Sequence, residues 1–195
     1  NFFNEDIHLV FYFLILLMIF FVFLNLDNNF SKLFLSITSS VSNIGFSLDN
    51  NSTNLSFIFL ILVIIGGSFF STSSGIRFLK IYSLFKYSIN EILSYSKPNN
   101  IYINKHLFSK ESFKLDEIHK YFLSIIVFII SLLLLTFLLT LSNIDFENSF
   151  KLSILTLMNT VNSSMYGLDS FSFYDLHFLT KYCLILFMII GRIEL

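Results

Sequence analysis

The sequence predicts an all-α polytopic membrane protein made of two parallel units. Each unit reads spanning helix, short amphipathic helix, polar segment, spanning helix. Three observations predict it. Only 13% of the 195 residues are charged and 55% are hydrophobic, with a mean hydropathy of +0.76, whereas a soluble domain carries about 25% charged residues. Residues 7–26 and 121–140 are runs of 20 without a formal charge, long enough at 1.5 Å per residue to cross roughly 30 Å of hydrocarbon. Each run is followed by an amphipathic stretch of about twelve residues, too short to cross, and then by a hydroxyl-rich segment.

The first unit is residues 1–90. Its opening helix, 7–26, has His8 as its only group titrating near neutral pH, and Asp27-Asn28-Asn29 end it at an interface. Residues 30–41 form a short helix reaching half the membrane depth, and 42–47 follow as an extended segment in which Gly45 gives the backbone extra freedom. At membrane depth, non-helical backbone survives only where it is buried in protein or lines a water-filled path. Main-chain oxygens there can replace the water around an ion. Ser42, Asn43, Ile44 and Gly45 are therefore candidate cation ligands, with an ordinary outer loop as the rival reading. Residues 48–54 return to the surface, and 55–90 form a helix broken at Gly66-Gly67-Ser68-Phe69-Phe70-Ser71-Thr72-Ser73-Ser74-Gly75. Eleven apolar residues before the break do not span, which places the break inside the membrane, as a movable gate or as a static kink relieved by hydroxyls.

Residues 91–117 are polar, hold the one proline, Pro98, and read as a connector. Eight of the twelve basic residues fall between 77 and 120, which puts that side in the cytoplasm. The opposite loops, 27–54 and 143–176, carry Lys32 and Lys151 against Asp27, Asp49, Asp145, Glu147, Asp169 and Asp175, an outer mouth that attracts cations. The second unit, 118–195, repeats the order: helix 121–140, short helix 150–161, polar segment 162–167, helix 175–195. An offset of 120 residues maps Phe30, Val41, Leu48 and Asp49 onto Phe150, Val161, Leu168 and Asp169. The chain opens on Asn1 rather than Met, and its last helix runs only about 22 Å beyond Lys181. Both features predict a piece of a larger protein. Two parallel units cannot surround a pore, so another half or two further units are expected.

Ser42-Asn43-Ile44-Gly45-Phe46, the break Gly66-Gly67-Ser68 with Ser71-Thr72-Ser73-Ser74-Gly75-Ile76-Arg77, and the ending Gly191-Arg192-Ile193-Glu194 resemble the Trk/Ktr/HKT potassium transporters. The likeness covers about residues 7–195, in order, and is specifically to the C-terminal half of a TrkH-type subunit. The resemblance implies a potassium-channel-like arrangement of helix, pore helix, filter and helix, four units to a pore, with 1–90 as the third and 118–195 as the fourth. It implies a filter on Ser42, Asn43, Ile44 and Gly45 and on Asn162, Ser163, Ser164 and Met165. It places a mobile gate on Gly66, Gly67, Ser71, Thr72, Ser73, Ser74 and Gly75, and a pore-facing charge on Arg192, for which snorkelling to the inner interface is the rival reading. It implies a homodimer in the cytoplasmic membrane working with a cytosolic nucleotide-binding regulatory subunit, K+ as bound and transported ion, and no cofactor in this chain. Met165 stands where the family has glycine, which makes sodium permeation more plausible.

Other chemistry finds little footing. His8, His106, His119 and His177 lie in different segments without metal-ligand spacing, and the single Cys183 excludes an internal disulfide framework. Thr72-Ser73-Ser74 has no His or acid partner nearby in sequence, so no enzyme is expected. A net charge of -1 removes the electrostatic basis for nucleic-acid binding. The expected function is potassium uptake as part of a pore-forming subunit. The alternatives are a non-transporting or degraded half-protein, or a sodium-permeable variant of the same pore.

Overall fold

The computed structural model describes residues 11–20, 30–46, 56–66, 76, 78–96, 115–162, 164–168, 173–174 and 176–192. They form α1 (Phe11–Phe20), α2 (Phe30–Val41), α3 (Ser56–Ile65), α4 (Phe78–Ser96), α5 (Leu115–Thr140), α6 (Phe146–Leu157), a 3₁₀ turn (Ser164–Tyr166) and α7 (Phe178–Arg192). No strand occurs among the described residues. The ends of the predicted 7–26 helix lie outside them.

α5 is the helix from which the membrane reading follows most directly. Its stretch Asp116–Thr140 is long and apolar enough to cross a bilayer. Asp116 and Glu117 sit in its first turn, where the helix dipole favours negative charge. Phe128, Leu132, Leu135 and Leu139 form one buried stripe, while Leu123, Ile130, Leu133 and Phe137 form an opposite stripe, each more than half exposed. An apolar stripe of that length facing outward fits lipid rather than water.

Several boundaries differ from the sequence expectation. α4 continues to Ser96, so residues 91–96 are helix rather than connector, and α5 begins at Leu115. α7 begins at Phe178 rather than at 175. α6 runs Phe146–Leu157 instead of 150–161. It starts after Asp145 and carries Glu147 in its first turn, bonded to Lys151 at 2.6 Å. The reason for the displacement is periodicity: sliding a helix by four residues, about one turn, leaves its apolar face almost unchanged.

Within the first unit, α1 packs on α2 through Phe13 and Phe34 (ring centroids 5.8 Å apart) and on α3 through Phe20 and Phe59 (5.9 Å). Within the second, α5, α6 and α7 pack on one another. The units join where α3 meets α6 and the 3₁₀ turn, and where α4 meets α5. At the latter, Lys80 Nζ donates to Ser124 Oγ at 3.0 Å. Four hydroxyls inside this core bond back onto their own helices. Ser40, Ser153, Thr136 and Thr156 each donate to the carbonyl four residues back, which lets hydroxyl-rich helices be buried at little polar cost. Thr136 and Ser153 also meet across α5 and α6 at 3.1 Å.

Glycine permits the closest approach in each unit. A Cβ on Gly66, just after α3, would lie 2.5 Å from the carbonyl oxygen of Val41, the last residue of α2. A Cβ on Gly191 in α7 would collide with the carbonyl oxygen of Leu157, the last residue of α6. The helix after each hairpin therefore presses bare backbone onto the C-terminal end of its short helix. Gly191→Ala is expected to lower the stability of the detergent-solubilised subunit by about 1–3 kcal/mol, the usual cost of overpacking. Gly167→Asn is expected to cost less than about 1 kcal/mol, because Asn tolerates a left-handed backbone and Gly167 (φ 71) meets only side-chain atoms at 3.3 Å or more. Thermal unfolding of the two variants checks both values.

Candidate functional site

The short helices α2 and α6 end in the same way. Ser42 N–H donates to Thr38 O, Asn43 N–H to Ser40 O and Ile44 N–H to Ser39 O; Met158, Asn159 and Thr160 make the equivalent bonds to Ile154, Thr156 and Leu155, with all six distances between 2.9 and 3.2 Å. The second and third bonds of each set are the two of a Schellman cap, whose turning residue must be left-handed. That residue is asparagine both times, Asn43 at φ 57 and Asn159 at φ 53, and asparagine is among the few residues with a side chain that tolerate this region. The backbone repeat at the hairpins is thus 116 residues, not 120. At this offset Phe30 pairs with Phe146, Phe34 with Phe150, and Asn43 with Asn159.

The two hairpins touch. Gly45 is left-handed (φ 79), and a Cβ there would run into the carbonyl oxygen of Val161, with Thr160 Cγ2 and Val161 N both at 3.0 Å. Gly45 is buried, while Ile44 and Phe46 are exposed beside it. Ser39 Oγ accepts the N–H of Phe46 at 2.6 Å and fixes the exit of the first hairpin. The second hairpin is tied elsewhere, with Asn159 Nδ2 donating to Met188 O in α7 at 3.1 Å. Two main-chain turns therefore meet at the C-termini of two helices, the end where helix dipoles carry partial negative charge. Among the described residues no three His, Cys, Asp or Glu side chains converge. The groups brought together at the contact are main-chain groups of Gly45 and Val161.

The sequence-predicted residues divide accordingly. Ser42, Asn43, Ile44 and Gly45 lie on the first hairpin. Asn162 is the last described residue of the second hairpin, and Ser163 lies outside the described residues. Ser164 and Met165 belong to the 3₁₀ turn, beyond the contact. Met165 does not take a left-handed conformation among the described residues, whereas Gly167 does. It is 1% exposed and its Sδ lies 3.8 Å from Ser40 Oγ of α2, so it plugs the joint between the units. The residues standing where Ser42–Gly45 stand in the first unit are Met158, Asn159, Thr160 and Val161, which the 120-residue offset passed over. Of the predicted gate, Gly66 is described, packed on α2; Gly67, Ser71, Thr72, Ser73, Ser74 and Gly75 lie outside the described residues. Arg192 is exposed in the last turn of α7, directly after the Gly191 contact. At the start of α6, the hydrogen bond and charge of Lys151 hold the Glu147 carboxyl below its ordinary range.

Beside the second hairpin, α6 and α7 leave a cavity of about 530 Å³. Lys181, Leu184, Ile185 and Met188 line it, together with Thr160 and Asn162. Thr160 Oγ1 and Asn162 Oδ1 are buried there without a hydrogen-bond partner among the described residues. Lys181 Nζ donates instead to Tyr174 O at 3.0 Å.

The fold is similar to the crystal structure of the potassium transporter TrkH from Vibrio parahaemolyticus, with a TM-score of 0.80 and 19% sequence identity; the match covers 98% of this chain and 42% of that one. This chain thus spans less than half the length of that transporter. No curated protein gives a significant match. The TrkH family profile, described as a cation transport protein, matches residues 24–195. The chain belongs to the TrkH cation transport family.

Proposed function

We propose that the chain supplies two pore-lining units of a Trk-type potassium-uptake subunit, and that K+ sheds its water onto the main-chain oxygens of Ser42–Gly45 and Met158–Val161. The observation that carries this is the contact of the two hairpins at Gly45 and Val161. It brings two turned main chains to one place, and a ring of such oxygens is how a channel replaces a hydration shell. The negative ends of α2 and α6 add to the cation's stabilisation there. Movement is downhill, driven by about 2.3 kcal/mol per charge for each 100 mV. Arg192, a turn beyond the Met188 tie, supplies a fixed positive charge that keeps cations from pooling below the filter. Residues 66–75, following the Gly66 contact, form the gate.

Two hairpins leave the axis open, and the second unit's exposed face supports further units. Gly66 and Gly191 make the same contact 125 residues apart, which pairs Leu60 with Ile185 and Val63 with Met188. Leu60 and Val63, on the helix that meets the second unit, are buried at 2% and 0% exposure, while Ile185 and Met188 are 54% and 41% exposed and line the cavity. Phe57 and Tyr182, a paired position on the outer side, are alike at 62% and 55%. The difference is confined to the face that an adjoining unit covers. The occupant is another hairpin of the α6 type from the same subunit, whose polar groups meet Thr160 and Asn162. The same proposal includes a multi-pass position in the cytoplasmic membrane, a homodimer, and a cytosolic nucleotide-binding regulatory subunit.

A sodium-permeable variant of this pore is the second reading. One observation favours it: the place held by glycine at 45 is held in the second hairpin by Val161, which has a side chain and no left-handed backbone.

Uptake of ⁸⁶Rb+ by the complete gene product, in cells lacking their own potassium uptake, tests the main reading. Uptake above background is expected, and Gly45→Ala is expected to abolish it or remove the preference over Na+. An added methyl at Gly45 costs about 1–2 kcal/mol in backbone strain and also forces the hairpins apart. Unchanged preference in that variant contradicts the filter assignment. The register is tested separately: Val161→Gly shifts the K+/Na+ permeability ratio and Met165→Leu leaves it alone. The reverse result would return the filter to residues 162–165.

A further inference from the structure

We infer that Asn159 is a positioning residue that clamps the second hairpin to the end of α7, so that the hairpin and Arg192 hold their relation as one unit. The inference rests on the proposed role of that hairpin for its transport consequence, but the clamp itself stands on geometry. Two contacts make it. Gly191 backbone lies against Leu157 O at the end of α6. Two residues further on, Asn159 Nδ2 donates to Met188 O at 3.1 Å.

The choice of carbonyl matters. In α7 the helical partner of Met188 O is the N–H four residues on, which belongs to Arg192. Asn159 therefore bonds the same oxygen that anchors the final turn. The left-handed backbone of Asn159 (φ 53) aims its side chain out of the hairpin and toward α7. One residue thus performs two tasks, turning the chain and holding the neighbouring helix. Asparagine satisfies both, whereas glycine turns equally well but has no donor, and aspartate accepts the turn but offers only acceptors. In the first unit the sequence following the glycine contact is Gly67 rather than an arginine. In the second unit the arginine directly follows the glycine contact.

The test uses the complete subunit and two readouts. Asn159→Gly and Asn159→Asp preserve the turn and remove the donor, so both are expected to fold with wild-type yield. Hydrogen–deuterium exchange of the segment covering residues 188–192 is expected to be about five- to tenfold faster in each, the size of one net hydrogen bond. Wild-type exchange in both variants overturns the clamp, whether or not the protein transports. In ⁸⁶Rb+ uptake, the effects of Asn159→Gly and Arg192→Ala are expected to be non-additive, because both act through the end of α7. Additive effects overturn the link to Arg192. Background uptake in the wild type would count against the proposed function instead, leaving the exchange result to decide the clamp.

Discussion

Everything in this chain depends on main chain approaching main chain without side chains between. Gly66 lies on the end of α2, Gly191 on the end of α6, and Gly45 on the turn after α6. At each of these positions even a methyl group would meet backbone oxygen rather than a yielding side chain. The two short helices are consequently held by their C-termini, and it is there that their hairpins emerge. The apolar stripes of α5 and the aromatic contacts of α1 surround that joint and supply the burial that holds it together. Cooperation between the two levels is direct: the lipid-facing helices fix depth, and the glycine contacts fix which atoms face one another at that depth.

Much of this was legible in the residues. The run 121–140 announces a crossing helix by length and lack of charge, and the structure extends it at its N-terminus only. Residues 30–41 are too short to cross, and α2 occupies those twelve positions. α3 ends at Ile65, directly before the two consecutive glycines at which the sequence places a break. What could not be read was register. Sequence pattern puts the second short helix one turn late because amphipathic periodicity is nearly blind to a shift of four residues, and because Phe150 pairs with Phe30 at one offset and with Phe34 at the other. Asn43 and Asn159 were the available signal. An asparagine two residues past a helix end marks a left-handed cap, and aligning the two asparagines gives the 116-residue spacing at once.

That correction changes the chemistry attached to Met165. The 120-residue offset and the resemblance put Met165 on the filter, where the family has glycine. The structure instead buries it against Ser40, where it seals the joint between units, and the backbone of Met165 is ordinary. Under the proposed filter the position without glycine is Val161, whose backbone lies against Gly45 across the hairpin contact. In the proposed pore, selectivity is then a question about one pair of turns, one with glycine and one without. Ile185 and Met188 are exposed where the same positions in the first unit, Leu60 and Val63, are buried, the difference on which the proposal of further units rests.

The most direct measurement is an experimental structure of the complete subunit in Rb+ or Tl+, with the ion located by its anomalous scattering. The account predicts density on a central axis, within coordination distance of main-chain oxygens from both 42–45 and 158–161. Ion density coordinated by residues 162–165 instead, or hairpins that do not share an axis, would contradict it.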